Sequence, residues 1–336
     1  MKSFLTRKGV SLSLHTYFVT ALSYMALGLF SSLIIGLILQ TAGEVSGSTF
    51  FVEMGSLTMS LMGPAIGVAI AYGLNAPPLV LFSAVIAGAA GSALGGGPAG
   101  SYVAALFAVE FGKMVSKGTK VDIIVTPFVT VTTGYLVAKF IGPQISSAMQ
   151  NFGALIMWAT EQRPLIMGIL VATLMGLALT APISSAAIAI MLGLDGLAAG
   201  AATIGCAAQM VGFATASFRE NGWGGWIAQG IGTSMLQVAN IVKRPAILIP
   251  PTVAGIILAP FGTVIWVTEN IAEGAGMGTS GFVGQIMTFR TMGFTYETLL
   301  IVLFLHFIGP AVISLVLSEW MRRKGFIQHG DMKIEY

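Results

Sequence analysis

The sequence predicts an all-α integral membrane protein of about ten transmembrane helices, with re-entrant glycine-rich hairpins and an internal duplication. Three observations predict it. Of the 336 residues, 55% are hydrophobic and only 9% are charged, whereas soluble domains carry about 25% charged residues. The mean hydropathy is +0.88. The apolar residues also gather into runs long enough to cross a bilayer, interrupted at two places by glycine-rich stretches, GGGPAG at 95–100 and GAGMGTSG at 274–281. The chain is read as one polytopic membrane domain over 1–336, with repeat halves at 17–142 and 164–320 and a short cytoplasmic tail at 321–336.

In chain order the apolar runs are 17–39, 50–72, 78–94, 100–111, 123–141, 164–192, 197–218, 223–242, 246–267, 277–289 and 298–319. The first follows the basic stretch MKSFLTRKGVSLSLHT and exceeds the apolar core of a signal peptide, so it reads as a retained first helix. The runs 100–111 and 277–289 are the shortest, and each follows one of the glycine-rich stretches. Short, glycine-interrupted apolar segments at matching places in two halves point to broken helices around a transport site. The halves keep their order. GSLTMSLMGPAIG, APPLVLFSAVIAG and GGGPAGSYVAAL in the first answer to GIGTSMLQVANI, IPPTVAGIILA and GAGMGTSGFVGQI in the second. Recurrence of Gly, Ala and Ser by chance is the competing explanation. The stretch 144–162 reads as an interfacial amphipathic helix joining the halves.

Lysine and arginine set the orientation. Lys2, Arg7 and Lys8, then Lys113, Lys117 and Lys120, then Arg322, Arg323 and Lys324 are expected on the cytoplasmic side, which puts both termini there. Parity then requires one run of the second half not to cross, and the glycine and amide content of 277–289 and of 223–242 makes these the two candidates. Trp158, Trp266 and Trp320 fall at run ends, where an aromatic belt would anchor the chain.

The chemistry concentrates in FRENGWGGWIAQGIGTSMLQVANIV, residues 218–242. Polar side chains at membrane depth are tolerated where they face a cavity, a pathway or a partner. Glu220 beside Arg219 reads either as an ion pair fixing a helix end or, with Asn221, as a ligand for a hydroxylated or amide-bearing solute. Gln229, Thr233, Gln237 and Asn240 continue at helical spacing, as a row that could satisfy hydroxyls along such a solute. Glu269 and Asn270 join the candidate substrate-binding set. Glu269 and Glu273 at i, i+4 are expected to share a helical face, an arrangement suited to proton coupling. Glu53 and His306 are the other candidate coupling groups, His306 having a helix-to-helix hydrogen bond as its plainer role. Glu110 is expected to pair with Lys113 at i, i+3.

No catalytic motif, metal-ligand cluster or cofactor loop is present. The one cysteine, Cys206, lies in an apolar run, so no disulfide or thiol pair is available. A formal net charge of +3 is small and clustered between runs, which excludes nucleic acid as a partner. The expected partners are the lipid bilayer and a small polar solute.

With RENGWGGWIAQGIGTSMLQVANI, IPPTVAGIILAPFGT and GAGMGTSGFVGQI in view, the chain resembles the bacterial family of phosphotransferase-system transporter subunits IIC, of the perfringolysin-regulator type, over nearly its whole length. The resemblance implies a homodimer of about ten spans with re-entrant hairpins, binding a sugar-like solute near Glu220, Asn221 or Glu269. It also implies separate soluble phosphotransferase components, because the chain carries no domain with a phosphorylatable cysteine or histidine. The expectation is a permease of the bacterial cytoplasmic membrane working by alternating access. The alternative is a membrane sensor that binds a similar ligand and signals through its tail.

Overall fold

The computed structural model describes residues 5–334 other than 6, 12 and 182, and leaves the side chains of residues 45, 187 and 191 undescribed. Lys2 and the last two tail residues therefore lie outside the described residues. The fold is all-α, and among the described residues the one β-bridge is an isolated pairing of Gly196 with Asn270. The helices are α1 (Leu22–Leu29), α2 (Ile35–Ser46), α3 (Thr49–Ser60), α4 (Met62–Gly73), α5 (Pro78–Gly91), α6 (Gly97–Val115), α7 (Asp122–Thr160), α8 (Pro164–Thr180), α9 (Ser185–Leu192), α10 (Gly196–Ala216), α11 (Phe218–Ile227), α12 (Val238–Lys243), α13 (Ile249–Pro260), α14 (Ala272–Ala275), α15 (Val283–Met292), α16 (Tyr296–Val302) and α17 (Gly309–Arg323). The chain divides into two compact units, Met1–Ala148 and Met149–Tyr336, the boundary falling inside α7.

Among the described residues, 6 helical stretches are long and apolar enough to cross a membrane, or up to 7 if α3 and α4, bent by 51°, form one span. Length and composition thus single out fewer crossings than the ten or so expected from the apolar runs. Run 164–192 is divided between α8 and α9, and runs 223–242 and 277–289 lie in short, interrupted helices.

In the first unit the stretch Pro78–Val115 is a helical hairpin. Leu94 and Gly95 leave helical φ/ψ, and Gly95 and Gly97 take φ of 89° and 54°, values that glycine adopts without steric cost. The hydroxyl of Ser101 donates to the Gly88 carbonyl at 2.8 Å. A Cβ on Gly112 would lie 2.9 Å from Val80, and one on Gly91 would strike the Gly100 backbone. Small residues on both arms therefore bring the two backbones together, the packing mode that membranes favour. GGGPAG is the turn of this hairpin.

The expected i, i+3 pair of Glu110 and Lys113 forms: the Lys113 ammonium is buried, 3.4 Å from Glu110 and donating to the Gly9 carbonyl at 3.0 Å. The stretch expected as an amphipathic helix joining the halves is helical as far as Thr160, as the last part of α7, which runs on through Pro127 and Pro143, since each proline removes only one backbone donor from a long helix.

The second unit is built around α10, which is buried over 89% of its apolar window. Its small-residue faces admit α8 on one side, where a Cβ on Gly205 would meet the Ala172 backbone, and α13 on another, where Gly212 lies against Pro251. Ser314 of α17 closes on Gly212, and Leu258 of α13 on Gly309. The helix opened by Pro250 and Pro251 thus packs on a glycine-rich neighbour, as the helix opened at Pro77 and Pro78 packs on α4, where Gly67 meets Ala84.

Candidate solute site at two broken segments

The segment after α10 is helical only in pieces. Gly222 takes φ of 57° inside α11, a π-helical turn covers Ala228–Gly232, and Thr233 is fully extended at φ −161°, ψ 142°. A 3-10 turn, Ser234–Gln237, then leads into α12. The reason is local: five glycines among 222–232 lower helix propensity, and the Thr233 hydroxyl accepts from the Met235 amide at 3.1 Å, capping the next turn. A second break follows α14, where Gly278, Gly281 and the non-glycine Phe282 all have positive φ, of 54°, 52° and 60°. Phe282 in the left-handed region marks a backbone held there by its surroundings.

The two breaks meet. The Thr279 hydroxyl donates to the Gly230 carbonyl at 2.5 Å, and a Cβ on Gly278 would lie 2.7 Å from the Cys206 backbone on α10. Irregular backbone within a membrane bundle persists only where protein or a cavity supplies its hydrogen bonds. Beside the first break runs a buried polar chain. Ser234 Oγ and Thr180 Oγ1 lie 2.8 Å apart, Thr180 Oγ1 donates to Gln209 Oε1 at 3.3 Å, and Gln209 Nε2 donates to Thr252 Oγ1 at 2.8 Å. These groups come from α8, α10, α13 and the break itself. Ser280, at the second break, keeps its buried hydroxyl without a partner.

A family model described as the phosphotransferase system EIIC matches residues 19–334. The chain belongs to the phosphotransferase-system EIIC family. Neither the curated proteins nor the solved structures gave a match.

The EIIC chain distributes the expected site residues unevenly. Glu220, Asn221, Gln237 and Asn240 are brought together, but their partner is the chain's own C-terminal segment. Glu220 Oε2 accepts from the Met332 amide at 2.8 Å, Asn221 Nδ2 donates to the Met332 carbonyl at 2.8 Å, and Asn221 Oδ1 accepts from the Ile334 amide at 2.8 Å. Gln237 donates to the Met332 carbonyl at 3.0 Å and Asn240 to the Lys333 carbonyl at 2.9 Å. Gln229 bridges inward, donating to Ser217 Oγ at 2.9 Å and accepting from Gln237 Nε2 at 2.7 Å.

Glu220 pairs not with Arg219 but with Arg322, at 2.8 Å, its side chain 1% exposed. Arg219 instead meets Glu319 at 3.1 Å on the surface.

Asn270 holds the second hairpin closed, donating to Thr203 Oγ1, the Gly284 carbonyl and Thr288 Oγ1 at 2.8, 3.0 and 3.1 Å. Glu269 and Glu273 do not share a helical face. Glu269 lies in the extended link before α14, and both are exposed. The i, i+4 spacing carries no helical meaning there, because the Asn270–Gly196 bridge holds the backbone extended. Glu53 is exposed on α3. His306 is fully buried with Nδ1 3.1 Å from Gln285 Nε2, a hydrogen bond between α15 and the π-helical turn before α17.

The sequence reading passed over Gln209, Thr180 and Thr252. The signal was available for Gln209, the one amide in the run GLAAGAATIGCAAQMVGF, since a polar group at mid-span is expensive unless used.

Proposed function

We propose that the solute of this phosphotransferase-type membrane transporter is a small, polyhydroxylated, sugar-like molecule, bound where the two broken segments meet on α10 and exposed alternately to each side of the bacterial cytoplasmic membrane. One observation carries this reading: the convergence of both breaks beside the polar chain Thr180, Gln209, Ser234 and Thr252, which draws on α8, α10, α13 and the first break. Hydroxyls and a primary amide can each exchange an internal hydrogen bond for one to a sugar hydroxyl, so such a solute is desolvated at little net cost. Helix breaks supply backbone groups that can change partners during rearrangement. Phosphoryl transfer to the solute falls to separate soluble components, because Cys206 is fully buried against the Met175 carbonyl.

The test is uptake by proteoliposomes carrying the purified chain and a panel of labelled hexoses, pentoses and polyols, with Gln209→Leu beside the unaltered protein. The substitution keeps the side-chain volume and removes both hydrogen bonds. Uptake of one sugar class that falls about 100-fold or more in a folded Gln209→Leu protein, as for loss of two polar contacts, is the expected result. Equal uptake by both proteins overturns this placement of the solute.

A further inference from the structure

The best-connected polar cluster in the molecule is occupied by the chain itself. After α17 ends at Arg323, the chain turns through residues 324–330 and lays Asp331–Ile334 across the broken segment. Four main-chain groups of that stretch, the Met332 amide and carbonyl, the Lys333 carbonyl and the Ile334 amide, are taken by side chains. Asn221 engages it at two points, one as donor and one as acceptor, so the fit reads peptide main chain, in a stretch whose Lys333 amide also closes a turn onto the Gly330 carbonyl at 3.2 Å. The Met332 side chain is fully buried with Phe213, Ile247, Met321 and Ile327, and Asp331 meets Arg244 at 3.3 Å. The side chain of Lys333 points to solvent.

The holding residues fall on both sides of the break at Thr233. Glu220 and Asn221 belong to α11, before it. Gln237 and Asn240 belong to the 3-10 turn and α12, after it. The same short peptide thus cross-links the two arms of a segment whose own helix is interrupted. Without it, the side-chain link that remains across the break in this cluster is the single hydrogen bond from Gln237 to Gln229.

We propose that the row Glu220, Asn221, Gln237 and Asn240 is a peptide-backbone receptor, and that the C-terminal stretch Asp331–Ile334 is its resident ligand, a strap that keeps the broken segment closed and is released when that segment moves. The functional consequence rests on the reading that the broken segment takes part in transport. The strap itself stands on its hydrogen bonds alone. The Arg322–Glu220 ion pair presets the carboxylate that receives the Met332 amide, so the receptor is ordered before the strap arrives.

Hydrogen exchange of the purified full-length chain, measured by mass spectrometry with no solute added, tests the strap separately from transport. Three variants are compared: a chain ending at Gln328, the nearly isosteric Asn221→Asp, and Lys333→Ala. Asn221→Asp places an acceptor against the Met332 carbonyl in place of a donor. In the unaltered protein, peptides covering 329–336 show slow exchange at Met332 and Ile334. In Asn221→Asp and in the shortened chain, exchange over 228–240 rises about tenfold or more, the factor for losing one or more hydrogen bonds. Lys333→Ala leaves both regions unchanged, because only the main chain of that residue is held. Should the shortened chain fail to fold, Asn221→Asp decides the matter. Rapid exchange at Met332 and Ile334 in the unaltered protein, or unchanged exchange over 228–240 in a folded Asn221→Asp, overturns the proposal. Equal uptake by Gln209→Leu and the unaltered protein, together with raised exchange over 228–240 in Asn221→Asp, overturns the solute placement and leaves the strap standing, so the two readings fail separately.

Discussion

Replacing Glu220 with glutamine separates its structural role from the ligand role its sequence context suggests. The side chain is 1% exposed, its Oε1 lies 2.8 Å from Arg322 Nη2, and its Oε2 accepts from the Met332 amide. Glutamine keeps the shape and can still accept from Met332, so the change removes the negative charge and little else. Breaking a buried ion pair from one side costs about 3–5 kcal/mol, because the surviving charge stays buried. Arg322 is 12% exposed and keeps the Ala216 carbonyl at 3.1 Å and Glu319 at 3.9 Å, which places the expected cost near the lower end, about 3 kcal/mol. For a unit the size of residues 149–336, that corresponds to a fall in Tm of about 6–12 °C. The assay is a thermal melt of the detergent-purified protein, with Arg322→Met and the double variant completing a cycle. The double variant should lose much less than the two single variants together, because replacing both ends leaves no stranded charge. A fall below about 2 °C in Glu220→Gln, or simple additivity in the cycle, would refute the reasoning and return Glu220 to the solute.

The surface pair offers the contrast: Arg219, 67% exposed beside Glu319, should tolerate Arg219→Ala with a loss within about 1 kcal/mol by the same melt. In the first unit, Lys113→Met strands the buried Glu110 carboxylate and should cost about 3–5 kcal/mol, with Lys113→Met/Glu110→Leu recovering most of it. Gly205→Ala drives a Cβ into the Ala172 backbone and should cost about 1–3 kcal/mol through the forced separation of α8 and α10. A melt unchanged by that substitution would mean the two helices are not in backbone contact.

The fold class was legible because it rests on quantities that survive averaging. A 9% charged fraction and long apolar runs leave a bilayer as the solvent whatever the packing. Local signals were legible too. GGGPAG makes a turn because only glycine takes the positive φ at 95 and 97, and the i, i+3 spacing of Glu110 and Lys113 becomes a contact because both lie on an unbroken helix. The same spacing argument failed for Glu269 and Glu273, where the backbone is extended ahead of α14. Periodicity predicts contacts only inside an element, and the elements around 268–282 are set by tertiary partners such as Gly196 and Thr203. The stretch 144–162 was legible as helix from its amphipathic pattern, but its continuity with the preceding apolar run across Pro143 was not, because a proline inside a helix reads in sequence as a boundary.

The row at 220–240 shows a deeper limit, one of chemistry rather than of pattern. A buried carboxylate followed by amides is a correct sign that something polar must be bound there, because such groups stay buried only when satisfied. What satisfies them is another matter, since a peptide group offers the same N–H donor and C=O acceptor that an amide presents to a sugar hydroxyl. Residues 331–334 are more than ninety positions away from the row and carry no periodic mark, so sequence could not name them as the occupant. Gln209 illustrates the complementary case. It is a single amide without neighbours of its kind, and its partners Thr180 and Thr252 become visible only when α8 and α13 are packed on α10. Clustering of polar residues along the chain therefore marked the segment that binds another part of the chain. The polar chain assembled from several helices left one isolated glutamine as its trace, so in a bundle of this kind a lone polar residue of a central span marks a cluster that periodicity along the chain does not reveal.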